Sequence, residues 1–247
     1  MNSDTRTIRS LTVIVDDETI GEGCRIHLQA RSAMTLCPSL CQAEILNLSD
    51  SSFHRLLNGN TFSVSYGISQ LSFGEITDVI QRQLNHDSLT VVSFAPGLSL
   101  WEAPVSLSIP AGLSVSNTIR QILATAGNDY QLISYTDDDP YFSRGQTFHG
   151  RTADAIFAVL SAAGLSDAVY WTPKGICVRS DPLETVTISE LLEPPKRTAG
   201  GYILSVQPSG WNAGQAVRFG DITGLIREIA MDLDNVSGPW TMELLVR

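Results

Sequence analysis

The chain has 247 residues, 43% of them apolar, with 16 Lys and Arg against 26 Asp and Glu and a formal net charge of −10. That apolar share excludes wholesale disorder. The acidic balance excludes a nucleic-acid-binding platform of clustered basic residues, and no run approaches the ~20 apolar residues that span a bilayer, so no membrane insertion is expected.

The charged share is only 17%, and uncharged residues carry the polarity, Ser alone occurring 27 times. Such a surface is neutral or partly covered, because interface cores are depleted in charge. Residues 1–6 lack an apolar h-region, so the chain is expected to stay in the cytoplasm where it is made. Four Cys are too few for a disulfide framework.

Residues 1–109 read as β-rich. Leu11, Val13 and Val15 alternate with Thr12, Ile14 and Asp16; Ile26, Leu28 and Ala30 alternate with Arg25, His27, Gln29 and Arg31; Phe62, Val64 and Tyr66 alternate with Thr61, Ser63 and Ser65. A period of two marks strands with one buried face. A short helix, Ser51–Leu57, interrupts them with Ser49 or Asp50 as N-cap. Further strands are predicted at Leu71–Val79, Leu89–Phe94 and Val105–Ile109.

Residues 110–185 change character. Val115, Ile119, Ile122, Leu123 and Ala126 follow helical spacing, and Gly127 stops the helix. A strand, Tyr130–Tyr135, follows, then a polar loop at 136–140. A second helix carries Ile156, Val159, Leu160 and Ala163, with Thr152 as N-cap and Gly164 as stop. Strands at Val169–Trp171 and Ile176–Val178 flank a turn. The helical pattern 119–127 recurs 37 residues later at 156–164, which predicts two helix–strand units over a small sheet.

Residues 186–247 return to β, with Glu193–Gly201 as a Pro/Gly linker and strands at Ile203–Val206, Ala216–Phe219, Leu225–Leu233 and Met242–Val246. By segment, basic against acidic residues number six to eleven, five to eight and five to seven, so none is a basic platform.

Little of this points to chemistry. There is no phosphate loop, dinucleotide fingerprint, nucleophile elbow or His-Glu-x-x-His motif. Cys24-x2-His27 with Cys37-x3-Cys41 has the residue types of a Cys₃His zinc set. However, positions three apart on a strand point to opposite faces, so these Cys read as small apolar fillers. Asp137-Asp138-Asp139 offers hard oxygen ligands but not EF-hand spacing, and reads as a solvated loop. His27, His86 and His149 lack a base–nucleophile context. Trp101, Trp171, Trp211 and Trp240 are core or interface anchors, with Trp211 and Trp240 favoured for exposure by their Gly and Pro neighbours. No catalytic, cofactor-binding or metal-binding residue is assigned, no cofactor is expected, and the chain is not read as an enzyme.

The order of features resembles the baseplate hub proteins of tailed bacteriophages and related contractile injection systems. Ala43-Glu44-Ile45-Leu46-Asn47-Leu48-Ser49-Asp50 is similar to that family's strand ending in Asn-Leu-Ser before a short helix. Gly59 and Thr61–Gly67 match its next strand, and Leu71-Ser72-Phe73-Gly74-Glu75-Ile76, running into Val79, is similar to its Phe-x-Gly-x-Ile strand. Residues 113–180 are similar to its helix–strand domain, and Gly224–Asp232 with Trp240–Val246 to its closing strand pair. The resemblance implies an α+β, β-dominated fold, with two small antiparallel β-barrels at 1–109 and 186–247 flanking an α/β domain at 110–185.

It also implies a structural homotrimer that adapts a sixfold tail tube to a threefold central spike. Its partners are the tube, spike and tape measure proteins, its place is the virion baseplate, and DNA passes through it without specific binding. Separately, Phe148–Ile156 with Leu160 and Gly164-Leu165 resembles the small ring-building domain of secretins. A secretin-like adaptor, a tip protein of a non-contractile tail and a tail-tip hydrolase therefore stand as alternatives.

Overall fold

The computed structural model describes residues 9–127, 130–136, 138–179 and 185–247. Strands β1 (Leu11–Val15) and β2 (Glu18–Ile20) form a hairpin whose turn residues Asp16 and Asp17 take positive φ. They are followed by β3 (Arg25–Ala33), β4 (Cys41–Leu46), α1 (Asp50–Asn58), β5 (Thr61–Tyr66), β6 (Ser69–Leu84) and β7 (Asp87–Ala95). Next come α2 (Leu98–Glu102), β8 (Pro104–Ile109), α3 (Val115–Ala126), β9 (Gln131–Tyr135), β10 (Gln146–Arg151), α4 (Thr152–Ala162), β11 (Val169–Thr172) and β12 (Gly175–Val178). The last segment holds β13 (Thr185–Thr187), β14 (Lys196–Thr198), β15 (Gly201–Val206), β16 (Ala216–Phe219), β17 (Ile222–Asp234) and β18 (Trp240–Val246).

The architecture is α+β and dominated by strands. The period-two runs are strands for the expected reason: Leu11, Val13, Val15, Ile26, Leu28, Ala30, Phe62 and Val64 are all buried while their alternates are not. The Phe62 and Phe94 rings meet at 4.7 Å in that core, a separation typical of favourable aromatic pairs.

Of the expected barrels no closed one forms among the described residues, and the strands of both segments share one sheet. Strand β17 outreaches its hairpin partner β18 and lends its other edge to β3, pairing antiparallel from Glu228↔Ala33 to Asp234↔His27. The sheet therefore runs β14-β15-β18-β17-β3-β4-β7-β6-β5-β1-β2, and its two ends do not pair among the described residues. One hydrophobic core spans both segments, from Leu11 and Val13 to Leu244 and Val246. Strand β6 turns a corner. Its first half pairs with β5 and its second with β7, with a register shift between Ile76 and Asp78. Gly74 sits at that crossing, where a Cβ would lie 2.5 Å from the Ala95 carbonyl carbon.

A second core belongs to the middle of the chain, where α3 and α4 pack over the sheet β11-β12-β9 through Ile119, Ile122, Ile156, Leu160, Val169 and Ile176. Both helices form where the spacing predicts, and Gly127 and Gly164 have φ of 69° and 70°. Strand β8 pairs with β10, and its Val105 and Ile109 lie in this second core.

Three local expectations change. Arg151, not Thr152, is the N-cap of α4, because the Thr152 hydroxyl donates instead to the Ala103 carbonyl at 2.9 Å. Part of the Pro/Gly run at 193–201 forms the edge strand β14, held by three pairs to β15. Trp240 is buried in β18, edge-on to Tyr66 at 5.4 Å.

Candidate assembly surfaces

The side chains that alternate away from the large core form an outer sheet face. Strand β3 contributes Arg25, His27, Gln29 and Arg31, β4 contributes Gln42 and Glu44, and β17 contributes Glu228 and Asp232. Across the β17–β3 seam the charges pair. Arg25 donates to both Asp234 oxygens, with Nη2 at 2.6 Å and Nε at 3.1 Å from Oδ2. Arg31 meets Glu228 at 2.7 Å. His27 Nε2 lies 2.7 Å from Asp232 and its Nδ1 3.5 Å from Glu44.

Asp234 is buried, with 3% exposure. Burial pushes its carboxyl up, but the Arg25 hydrogen bond and the Val236 and Ser237 amides outweigh that and hold it below the usual range. Burial likewise pushes His27 down, and the hydrogen bonds and charges of Asp232 and Glu44 reverse the sign and raise it. Asn235 completes the seam, accepting from the Ile26 amide at 2.8 Å and donating to the Cys24 carbonyl at 3.0 Å. Both β3 arginines are thus tied to carboxylates. Each strand shows only its own alternation of polar residues, and the partners stand some 200 residues apart, so neither run points to the other.

A second set of contacts docks the middle unit on the sheet. Trp171 Nε1 donates to the Leu36 carbonyl at 3.0 Å, and the Tyr130 ring stands edge-on to Trp171 at 5.7 Å. The Tyr130 hydroxyl donates to Glu75 at 2.5 Å and accepts from the Gly97 amide at 3.1 Å. Burial, then the Glu75 hydrogen bond, pushes that phenol far up. Glu75 also accepts from the Ser99 amide at 2.8 Å, and Arg227 donates to the Asp167 carbonyl at 2.9 Å.

Between these docking points lies a cleft of about 710 Å³, walled on one side by β3, β4 and β6 and on the other by the back of β9-β12-β11. Trp171 and Trp211 both border it. Beyond the body, the β6–β7 hairpin carries a run of exposed residues at 80–87.

The Cys and His residues that have the types of a zinc set lie apart. Cys24 packs partly against the large core, Cys41 is buried in it, Cys37 is exposed, and His27 faces the other side with its carboxylates. Among the described residues no group of three or more His, Cys, Asp or Glu is placed to hold a metal ion. Of the acidic loop, Asp137 lies outside the described residues, while Asp139 accepts from the Ser116 amide at the start of α3 at 2.9 Å. His86 and His149 are exposed.

No family model and no curated protein matches the chain. Solved structures do. The tail protein from Neisseria meningitidis MC58 is 12% identical with a TM-score of 0.68 over 96% of both chains. The 43 kDa tail protein of prophage MuSo2 from Shewanella oneidensis is 9% identical with a TM-score of 0.68, again over 96% of both. An E. coli component of the type VI secretion system, described as structurally similar to the bacteriophage T4 tail proteins gp27 and gp5, is 9% identical with a TM-score of 0.67 over 94% of this chain and 75% of its own. At such identities the likeness is one of fold, and the resemblance read from the sequence is met there: this chain is built on the fold of phage tail proteins and of a type VI secretion component.

Proposed function

We propose that this chain is a non-catalytic hub of a phage tail baseplate. The observation that carries the reading is the fold likeness to two tail proteins along nearly the whole of both chains. In this reading three copies close into a ring, each presenting two β units, one from 1–109 and one from 186–247, with 110–185 as a unit docked beside them. Three copies then offer six similar units to a sixfold tube and threefold symmetry to a central spike, and closed symmetry stops growth at the trimer. The β3–β17 seam supports this, because it sets the two β units side by side in one sheet.

The ring lines a channel through which DNA passes, and the tape measure protein ends there. The outer sheet face suits such a wall. Arg25 and Arg31 are neutralised by Asp234 and Glu228, which leaves Glu44, Asp232 and Glu243, the outward alternate on β18, to repel phosphate. Assembly takes place in the host bacterial cytoplasm, and the product is part of the virion.

Mass in solution tests the ring. With a chain mass of 26.8 kDa, light scattering or native mass measurement is expected to give about 80 kDa alone, or about 80 kDa beyond the spike's own mass when the spike protein is added. A monomer under both conditions overturns the reading.

A further inference from the structure

We propose that the cleft between the large sheet and the back of β9-β12-β11 is a binding site for a carboxylate-bearing apolar polypeptide segment of a partner protein. This stands apart from the ring reading, since it requires neither a trimer nor a channel.

Three observations carry it. The first is charge. The chain has ten more acidic than basic residues, yet among the described residues no Asp or Glu borders the cleft, and the charged residues that do are Arg31 and Arg179. Arg31 is occupied by Glu228. Arg179 makes no ion pair among the described residues, and its Nε is buried without a hydrogen-bond partner.

The second is a row of stranded polar groups beside that arginine. Ser134, Cys177 and Tyr170 lie side by side across β9, β12 and β11, on the face turned away from the helices. Among the described residues the buried Ser134 and Tyr170 hydroxyls make no well-formed hydrogen bond, and Tyr170, only 4% exposed, has beside it just the Ser134 hydroxyl and the Cys177 thiol. Natural folds seldom leave several such groups on one wall, and when they do a missing partner is the usual explanation. Either hydroxyl can donate or accept, but the Arg179 guanidinium only donates, so the partner its buried Nε lacks is an acceptor. A carboxylate supplies lone pairs for a guanidinium fork and a neighbouring hydroxyl together.

The third is the rest of the lining. Trp171, Trp211, Leu71, Phe73 and Met231 offer apolar surface, and Ile68 at the rim is fully exposed. A cleft of this size with an apolar wall and few convergent polar groups is the usual form of a ligand site. An open cleft with an exposed isoleucine at its rim suits a chain that continues past it better than a small free acid.

The test is selection of displayed random heptapeptides on the folded full chain. The expected result is enrichment of one Asp or Glu flanked by apolar residues, lost at least tenfold with Arg179→Met and retained with Arg144→Met, an exposed arginine elsewhere. Tyr170→Phe removes a buried hydroxyl that makes no well-formed hydrogen bond among the described residues, and it preserves the ring that packs there. It should weaken the selected peptide severalfold, and it carries the test if Arg179→Met does not fold. The selected peptide should also slow alkylation of the exposed Cys37, which borders the cleft. Enrichment without a carboxylate, indifference to both substitutions, or equal protection of Cys37 by 3-phenylpropionate alone each overturns the proposal. A monomeric chain that still selects these peptides would leave it standing while the ring reading fails.

Discussion

Arg25 and Asp234, 209 residues apart in sequence, close the seam between β3 and β17 with a forked ion pair. Two β segments that could have folded separately are joined at a point where one partner is buried and the other half in water, with side-chain exposures of 4% and 46%. The pair is therefore asymmetric. Losing Arg25 leaves a buried carboxylate without its main counter-charge, whereas losing Asp234 returns a half-exposed guanidinium to solvent.

Arg25→Met should accordingly destabilise the fold by about 2–3 kcal/mol, below the full cost of breaking a wholly buried pair because the arginine is half solvated. Asp234→Asn should cost less, since an amide oxygen still accepts from the Val236 and Ser237 amides. Urea unfolding of the two single variants and the double variant measures the coupling. A cycle showing no coupling would mean that the backbone ladder alone holds the seam.

The pH dependence has two arms of opposite sign. Asp234, Asp16 and Asp139 are all held below the usual carboxylate range. Their contribution is complete above the unfolded value near 3.8 and is lost as pH falls through the lower folded values. His27 is raised above 6.5, so its contribution is complete below pH 6.5 and is lost as pH rises through the folded value. The groups facing it are Glu44 from β4 and Asp232 from β17, while neighbouring Arg25 and Asp234 satisfy each other. Thermal unfolding across pH 2–9 should show melting temperature falling as pH rises past 6.5 and falling again below 3.8, and His27→Gln should flatten the first slope without changing the acid arm.

Gly97 fixes how the middle unit docks. It takes φ of 69°, and a Cβ there would lie 2.1 Å from the Trp171 ring. Gly97→Ala thus imposes both left-handed strain and a clash, expected to cost about 2–4 kcal/mol. The relief available is for Trp171 to swing out, breaking its bond to the Leu36 carbonyl and its contact with Tyr130. A red-shifted tryptophan emission and early proteolytic release of the middle unit should accompany the loss. An unchanged emission spectrum with an unchanged melting temperature would contradict this account of the docking.

The features legible in the sequence were those set by neighbours along the chain. Leu11–Val15 and Arg25–Arg31 announce strands because alternate residues face one core, and Val115–Ala126 announces a helix because its apolar stripe ends at Gly127. What escaped was set across the fold. Lys196-Arg197-Thr198 has no strand signature, and three backbone pairs to β15 make it one. Thr152 is a good cap residue whose hydroxyl finds Ala103 instead. Trp240 has Pro239 and Gly238 before it yet points into the core beside Tyr66. The β3–β17 pairing, which replaces two barrels by one shared sheet, joins residues with no local signal of each other. The cleft escaped for the same reason: Ser134, Tyr170 and Arg179 become a row only when β9, β12 and β11 lie side by side.

The channel reading makes a prediction about charge on the outer sheet face. Glu44→Lys, Thr241→Lys and Glu243→Lys together change that face by five charges per chain and leave the Arg25, Arg31 and Asp232 pairs in place. The parent chain should not retain duplex DNA at physiological salt. The triple variant should, with an affinity falling roughly 10²–10³-fold between about 50 and 200 mM salt if some five phosphate contacts form. Virions carrying the variant should assemble with tails of normal appearance and release their genome more slowly, because the wall now attracts what it formerly repelled. Electron microscopy of the particles and single-particle ejection kinetics read the two effects separately. Normal ejection from particles whose isolated hub binds DNA would place this face outside the channel.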